Sequence, residues 1–227
     1  MRETIMPVNK ESYQLLKKEL EEEQVTLVAV SKTKPVEDIL DLYNLGHRDF
    51  GENYVQEMVT KTAQLPKDIR WHYIGHLQTN KVKLIAPFVQ LIHGVDSLKL
   101  LEEINKQGER SGRVLDCLLQ VHIAMEETKF GLDEGELDLL IKQFENLKMA
   151  NVRICGLMGM ASFTDDMNKV RQEFQNLKRI FDRLKTNDSR LTTLSMGMSN
   201  DYKIAIEEGS NMLRIGSLIF GERAKAD

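Results

Sequence analysis

The sequence predicts an α/β protein built as a single (β/α)8 TIM barrel, with an extra helix before its first strand. Short apolar runs alternate with longer amphipathic stretches along the chain, which is typical of a parallel sheet with helical crossovers. Eight such units can be counted, and eight is the number that closes a barrel. The alternative, a doubly wound open sheet, would need a glycine-rich fingerprint after the first strand, and none follows it.

A helix predicted over residues 8–24 precedes the first strand, and its acidic run from Glu19 to Glu23 is expected to form an exposed face. The first strand is rich in apolar and β-branched residues and ends at Lys32. Pro35 suits the first turn of the next helix, and Gly46 suits its C-cap. The predicted strands are 25–32, 49–52, 71–75 and 91–95, each followed by a helix, at 36–45, 55–65, 80–88 and 98–107.

The last four units repeat the alternation of an apolar run and an amphipathic stretch at helical spacing. The predicted strands are 114–123, 152–158, 193–196 and 212–215, with helices at 134–147, 166–185 and 201–208 between them. No linker rich in proline, serine or glycine interrupts the pattern, so residues 1–227 are predicted to form one domain.

Composition excludes several classes of protein. The net charge is −4 and the pI about 5.8, so no basic surface indicates nucleic-acid binding. No apolar run reaches the ~20 residues of a membrane span, and the amino terminus has no signal-peptide core. We therefore expect a cytoplasmic protein without membrane contact. No large exposed apolar stripe is evident, which favours a monomer.

The sequence predicts neither a disulfide nor a metal site. Cys117 and Cys155 lie inside apolar runs, as buried free thiols do in a reducing compartment. His47, His72 and His93 have no cysteine or carboxylate partners at metal-ligand spacing.

A barrel brings the carboxyl ends of all its strands to one mouth. In this chain those ends are rich in polar residues and glycine, whereas the strand bodies are apolar. The residues predicted at the mouth are Lys32, Asn53, Tyr54, His76, Asp96, Met158, the segment from Ser195 to Ser199, and the segment from Arg214 to Ser217.

Lys32 has two interpretations. A lysine at the end of a strand is commonly a solvated charge. At the end of a buried parallel strand, partial desolvation lowers an amine's pKa and suits it to form a Schiff base with a carbonyl compound.

The loops after strands seven and eight are the barrel positions that often bind phosphate. Ser199, Gly216 and Ser217 could supply hydroxyl and backbone N–H donors, while Gly197 helps the backbone to turn. The alternative is that the glycines only form turns and Ser199 only caps a helix.

Lys32, Arg214 and a phosphate site together match the needs of pyridoxal 5′-phosphate (PLP). The lysine would hold the aldehyde, the phosphate would anchor the molecule, and a third residue would meet the pyridine nitrogen. An arginine keeps its own proton and leaves that nitrogen unprotonated, which makes the ring a weak electron sink.

Six segments resemble those of the YggS/PROSC family of PLP-binding proteins, in both spelling and order. They are AVSKTKP, FGENYVQE, WHYIGHLQTNK, GLMGM, LSMGMSNDY and RIGSLIFGER, which together run from about Leu27 to Arg223. The resemblance implies a barrel of the alanine-racemase N-terminal type, covalent PLP binding and a role in vitamin B6 homeostasis without established catalysis. It also implies apo PLP-dependent enzymes as possible recipients.

The resemblance assigns roles to individual residues. Lys32 becomes the Schiff-base lysine, Asn53 lies near the ring and Arg214 faces the pyridine nitrogen. His76 stands where many members have proline, which favours packing or ring contact over chemistry. The phosphate ligands are Ser199, Gly216 and Ser217, and the other expected site residues are Met158, Ser195 and Gly197. Lys34 is expected to be solvated.

The alternative function is an amino-acid racemase or a related PLP enzyme. Racemisation needs a second acid/base on the face opposite the lysine. The chain ends about ten residues after the eighth strand, which leaves no room for the second domain that supplies this group in alanine racemase. We therefore expect a non-enzymatic cofactor carrier.

Overall fold

A computed structural model describes residues 8–124 and 130–221, and these form a closed barrel of eight parallel strands in chain order. The predicted (β/α)8 fold is confirmed. The predicted domain limits, and Glu222 and Arg223 of the last motif, lie outside the described residues. The strands are β1 Thr26–Val30, β2 Asp49–Glu52, β3 Arg70–Tyr73, β4 Val89–Val95, β5 Leu115–Val121, β6 Val152–Gly159, β7 Thr193–Ser195 and β8 Met212–Ile215.

Helices connect these strands and pack on the outside of the barrel. They are α1 Lys10–Glu22, α2 Val36–Asn44, α3 Val55–Gln64, α4 Val82–Ile85, α5 Leu98–Ser111, α6 Glu134–Leu147, α7 Met167–Asn187, α8 Tyr202–Glu207 and α9 Ser217–Phe220. The extra N-terminal helix α1 is therefore present. It is tied to α9 by a hydrogen bond of 2.9 Å from Asn9 N to Ile219 O.

The main differences from the predicted elements are an earlier end to β1, a shorter helix after β3 and an additional helix, α9. β1 ends at Val30 instead of Lys32, because residues 31–34 close a turn in which Lys34 N donates to Ser31 O at 3.0 Å. The helix predicted over 80–88 is a short 3-10 turn, Thr79–Lys81, followed by α4. The sequence analysis missed α9, since four residues are too few to display a helical period.

The main core lies between the strands and the surrounding helices. Trp71 of β3 is only 2% exposed and is one of the largest side chains in this core. Tyr13, Leu16 and Leu20 of α1 are buried in the same core, so this helix is part of the packed structure.

The inside of the barrel has an apolar and a polar part. Its apolar cluster comprises Val28, Leu91, Leu118, Met158 and Met212 from five different strands. The polar part contains His72, His93, Ser195 and Arg214, all buried. Side chains of a strand alternate between its two faces, so interior positions recur every second residue. Met212 and Arg214 of β8 follow this spacing, as do Leu91 and His93 of β4.

Cys117 is a buried free thiol and Cys155 a half-buried one. Within residues 8–124 and 130–221, no helix has the length and apolar content needed to cross a membrane. The same ranges hold no group of three or more histidine, cysteine or acidic side chains that could bind a metal ion.

The buried His47 should make the stability of the fold depend on pH. Its Nε2 lies 2.8 Å from the backbone oxygen of Asp49, and burial lowers the pKa of His47 to about 4. In the unfolded chain the same group titrates near 6.5. As pH falls from 6.5 toward 4, the unfolded chain gains a proton that the folded chain does not. Up to about 3 kcal/mol of stability should therefore be lost over that interval.

Urea unfolding at several pH values between 7.5 and 4.5 measures this loss. The matched variant is His47→Gln, which retains an N–H donor but does not titrate. Its free energy of unfolding should fall less steeply with pH. Equal slopes in the two proteins would rule out His47 as the cause.

Candidate functional site

A cavity of about 930 Å³ opens at the carboxyl ends of the strands. It brings together six of the ten predicted site residues, namely Lys32, Asn53, Ser199, Arg214, Gly216 and Ser217. They come from the ends of four strands, as expected of a site at a barrel mouth.

Three other predicted residues lie beside this cavity without lining it. Met158 belongs to the apolar cluster inside the barrel. It lies below the mouth, because β6 continues to Gly159 and the cavity wall begins only at Met160. Ser195 is fully buried and accepts a hydrogen bond of 2.6 Å from Arg214 Nη1. Gly197 has a φ of +99°, and a Cβ there would lie 2.5 Å from Ala205 Cβ. Its lack of a side chain lets α8 pack close.

His76 lies in a neighbouring depression of about 360 Å³. Its ring stacks on Phe130 with the ring centroids 4.8 Å apart, and its Nδ1 is 3.6 Å from Asp96 Oδ2. This placement gives His76 a packing role outside the main cavity.

The structure corrects the expectation that Lys34 is solvated. This lysine is half-buried and lines the cavity with Lys32. Its Nζ donates a hydrogen bond of 2.7 Å to Phe220 O, the last residue of α9. Lys34 thus joins the turn after β1 to the helix after β8.

Ser199, Gly216 and Ser217 form the part of the wall suited to an anion. Gly216 is the N-cap of α9, and the first N–H groups of a helix have no acceptor within the helix. A Cβ at Gly216 would lie 3.3 Å from Val30 O, so glycine lets β8 end close to β1.

Arg214 begins a chain of hydrogen bonds that crosses the barrel. Its Nη2 donates to Gly159 O at 3.0 Å and its Nη1 to Ser195 Oγ. Ser195 Oγ lies 3.4 Å from His93 Nδ1. The chain then continues from His93 Nε2 to His72 Nδ1 at 3.0 Å, and from His72 Nε2 to Asp49 Oδ1 at 3.0 Å.

Only one arrangement with a single proton on each imidazole completes this chain. Burial alone would raise the pKa of Asp49, but hydrogen bonds from Arg70 and His72 outweigh it and hold that pKa well below its usual range. Asp49 is therefore an acceptor, which puts the proton of each ring on Nε2. Ser195 must then donate to His93 Nδ1. The hydrogen bonds that Arg214 Nη1 and Nη2 donate to Ser195 and Gly159 hold its guanidinium at the floor of the cavity.

Burial lowers the pKa of Arg214 to about 10, which still leaves the guanidinium charged at neutral pH. Burial also lowers the pKa of His93 well below its usual value, so this ring is neutral. The guanidinium at the cavity floor is thus a cation held in place, and Ser195 links it to the neutral imidazole of His93.

The sequence analysis missed the wall formed by residues 160–165, which follow β6. A strand end placed one residue too early assigned Met158 instead of this segment.

One further feature of the cavity fits a polar ligand. Asn53 lines the cavity, and its buried Oδ1 has no hydrogen-bond partner in the described part of the chain.

The chain resembles proteins of one named family. Residues 10–224 match the family model described as alanine racemase, N-terminal domain. The pyridoxal phosphate homeostasis protein of Pasteurella multocida is 42% identical over 207 residues, covering 89% of this chain and 88% of that protein. The human protein of that name is 41% identical over 213 residues, covering 88% of this chain and 77% of that protein.

Solved structures give the same result. PipY of Synechococcus elongatus, with PLP bound, has a TM-score of 0.85 at 34% identity, and the match covers 93% of this chain and 99% of PipY. A D-threonine aldolase from Filomicrobium marinum shares the fold alone, with a TM-score of 0.74 at 14% identity over 92% of this chain and 58% of that enzyme. With two relatives above 40% identity over most of its length, this chain belongs to the family of pyridoxal phosphate homeostasis proteins, built on the alanine racemase N-terminal domain.

Proposed function

We propose that this protein holds PLP in the cavity at the barrel mouth and serves PLP homeostasis without transforming a substrate. The observation that carries the proposal is the convergence of Lys32, Arg214 and the polar wall of Ser199, Gly216 and Ser217 on one cavity. The names of its relatives and the PLP bound to PipY support it. Apo PLP-dependent enzymes in the cytoplasm are the proposed recipients.

Each group in the cavity has a distinct task in this proposal. The Lys32 amine, in its neutral form, makes a C=N bond to the aldehyde carbon. Its two protons leave with the aldehyde oxygen as one water molecule, so no oxidant or reductant is needed. Ser199, Gly216 and Ser217 donate hydrogen bonds to the phosphate. Asn53, whose Oδ1 is otherwise unpartnered, turns toward the ring.

Bound PLP supplies an electron sink for reactions at amino-acid carbons. Arg214 weakens that sink because a guanidinium that stays protonated can only donate to the ring nitrogen. The hydrogen bonds to Ser195 and Gly159 hold this guanidinium in place. The cavity is therefore better suited to storing the cofactor than to stabilising a carbanion.

An amino-acid racemase or related PLP enzyme is the second candidate, favoured by the match to the alanine racemase N-terminal domain. Such an enzyme needs an acid/base group on each face of the ring. Lys32 would supply one of them.

Incubation of the PLP-loaded, desalted protein with L-alanine in heavy water separates the two functions. The homeostasis proposal predicts that the visible PLP absorption persists, while α-deuteration and racemisation stay at the level of free PLP. Turnover of ~1 s⁻¹ or faster, the lower end of ordinary enzymes, would establish the racemase instead. Loss of the visible absorption on desalting would contradict PLP storage.

A further inference from the structure

The turn that carries Lys32 has an unfavourable backbone conformation. Residues 31–34 form a β-turn with Lys34 N donating to Ser31 O at 3.0 Å. Thr33, its third residue, has a φ of +64°. A positive φ at this position is that of a type II turn and favours glycine, whereas β-branched residues avoid it. The sequence of the turn does not by itself favour the observed shape, so something else must hold it.

Lys61 of α3 contacts both sides of this turn. Its Nζ donates to Ser31 O at 2.8 Å and to Glu57 Oε1 at 2.7 Å. The same Glu57 oxygen accepts the N–H of Thr33 at 2.6 Å. The Lys61 ammonium group therefore holds the carbonyl of Ser31 directly. Through Glu57 it also holds the backbone N–H of Thr33, on the other side of Lys32.

Glu52 at the end of β2 completes the arrangement. Its Oε1 accepts from Lys61 Nζ at 2.8 Å and from Ser31 Oγ at 2.6 Å. Lys61 is 5% exposed and Glu52 fully buried, and burial raises the pKa of Glu52 although Lys61 opposes the shift. Removing two charges from water costs free energy that their attraction need not restore. A buried ion pair next to the ligand-binding lysine thus indicates positioning more than stability.

We propose that Lys61, with Glu52 and Glu57, is a positioning group that holds the 31–34 turn in the conformation that directs Lys32 into the cavity. The inference rests on the proposed function of Lys32. It concerns residues that lie behind the cavity wall, since Lys61 is bound to the backbone of the turn.

The experiment compares two ligands in four test variants and one control variant. PLP reports covalent capture by Lys32, measured as the rate at which a borohydride-stable adduct forms. Pyridoxine 5′-phosphate has no aldehyde and reports only the ring and phosphate contacts. The variants are Lys61→Met, Glu57→Ala, each of these with Thr33→Gly, and the matched control Lys67→Met, whose lysine is exposed and binds Thr62 O.

We expect Lys61→Met and Glu57→Ala to slow adduct formation about ten-fold, while pyridoxine 5′-phosphate affinity changes less than about two-fold. Thr33→Gly should restore most of the rate in either background, because glycine adopts the positive φ without support. Lys67→Met should behave as the wild-type chain.

Glu57 is partly exposed, so Glu57→Ala gives a folded test even if Lys61→Met unfolds. Unchanged adduct rates in Glu57→Ala would overturn the inference while leaving the proposed function intact. So would equal losses for both ligands, which would indicate a general structural role. Absence of any adduct in the wild-type chain would overturn both.

Discussion

Lys32→Ala should reduce the borohydride-stable PLP adduct to background, whereas Lys34→Ala should form it at the wild-type yield. Both lysines line the cavity, two residues apart, so proximity alone does not distinguish them. One contact of Lys34 argues against its use as the attachment site. Lys34 Nζ is bound to Phe220 O at the end of α9, and using it for a C=N bond would break that contact.

Peptide mass spectrometry of the reduced protein checks this assignment. The labelled peptide should contain Lys32 in the wild-type and Lys34→Ala proteins. Binding of pyridoxine 5′-phosphate should persist in Lys32→Ala, because the groups that meet the phosphate are unchanged. An adduct of wild-type yield in Lys32→Ala would show that another amine holds the cofactor.

Gly156→Ala should destabilise the barrel by about 3 kcal/mol or more, enough to lower the yield of folded protein. Gly156 of β6 is paired with Thr193 of β7. An added Cβ would lie 1.8 Å from Thr193 O and 2.7 Å from Thr193 C. These are backbone atoms held by the sheet, so the clash is relieved only by separating β6 from β7.

Urea unfolding monitored by circular dichroism measures the effect. Gly135→Ala in α6 is the matched control, because a Cβ there meets only Asp133 Oδ1 at 3.4 Å. Alanine in a helix should leave stability unchanged or slightly higher. A Gly156→Ala protein as stable as the wild type would mean that β6 and β7 can move apart without cost.

The fold and the main part of the site could be predicted because parallel strands carry apolar runs and their carboxyl ends converge. That geometry brought Lys32, Asn53 and Arg214 together from positions far apart in the chain. Met158 was assigned to the site because its strand was ended one residue early. Met158 and Met160 are two residues apart and face the same side of the strand, so the error placed the wall one layer too deep in the barrel.

The support behind the site could not be predicted from the sequence. Glu57 and Lys61 are four residues apart in an amphipathic helix, which is the common pattern of a solvated surface pair. Only the packing of α3 against β2 buries Lys61 and brings it to Ser31. Likewise, His72 and His93 are 21 residues apart and show their contact only once β3 and β4 are adjacent.

The buried charge of Arg214 should link the lifetime of the protein to the supply of its ligand. The guanidinium donates hydrogen bonds to two neutral oxygens, and the carboxylate of Asp201 offsets only part of the cost of burying its charge, so an anion bound in the cavity should compensate this charge further. A ligand that binds only the folded chain stabilises it by about 2.7 kcal/mol at one hundred times its Kd. The loaded protein should therefore resist proteolysis longer than the empty one, and scarcity of ligand would shorten its half-life and reduce its abundance.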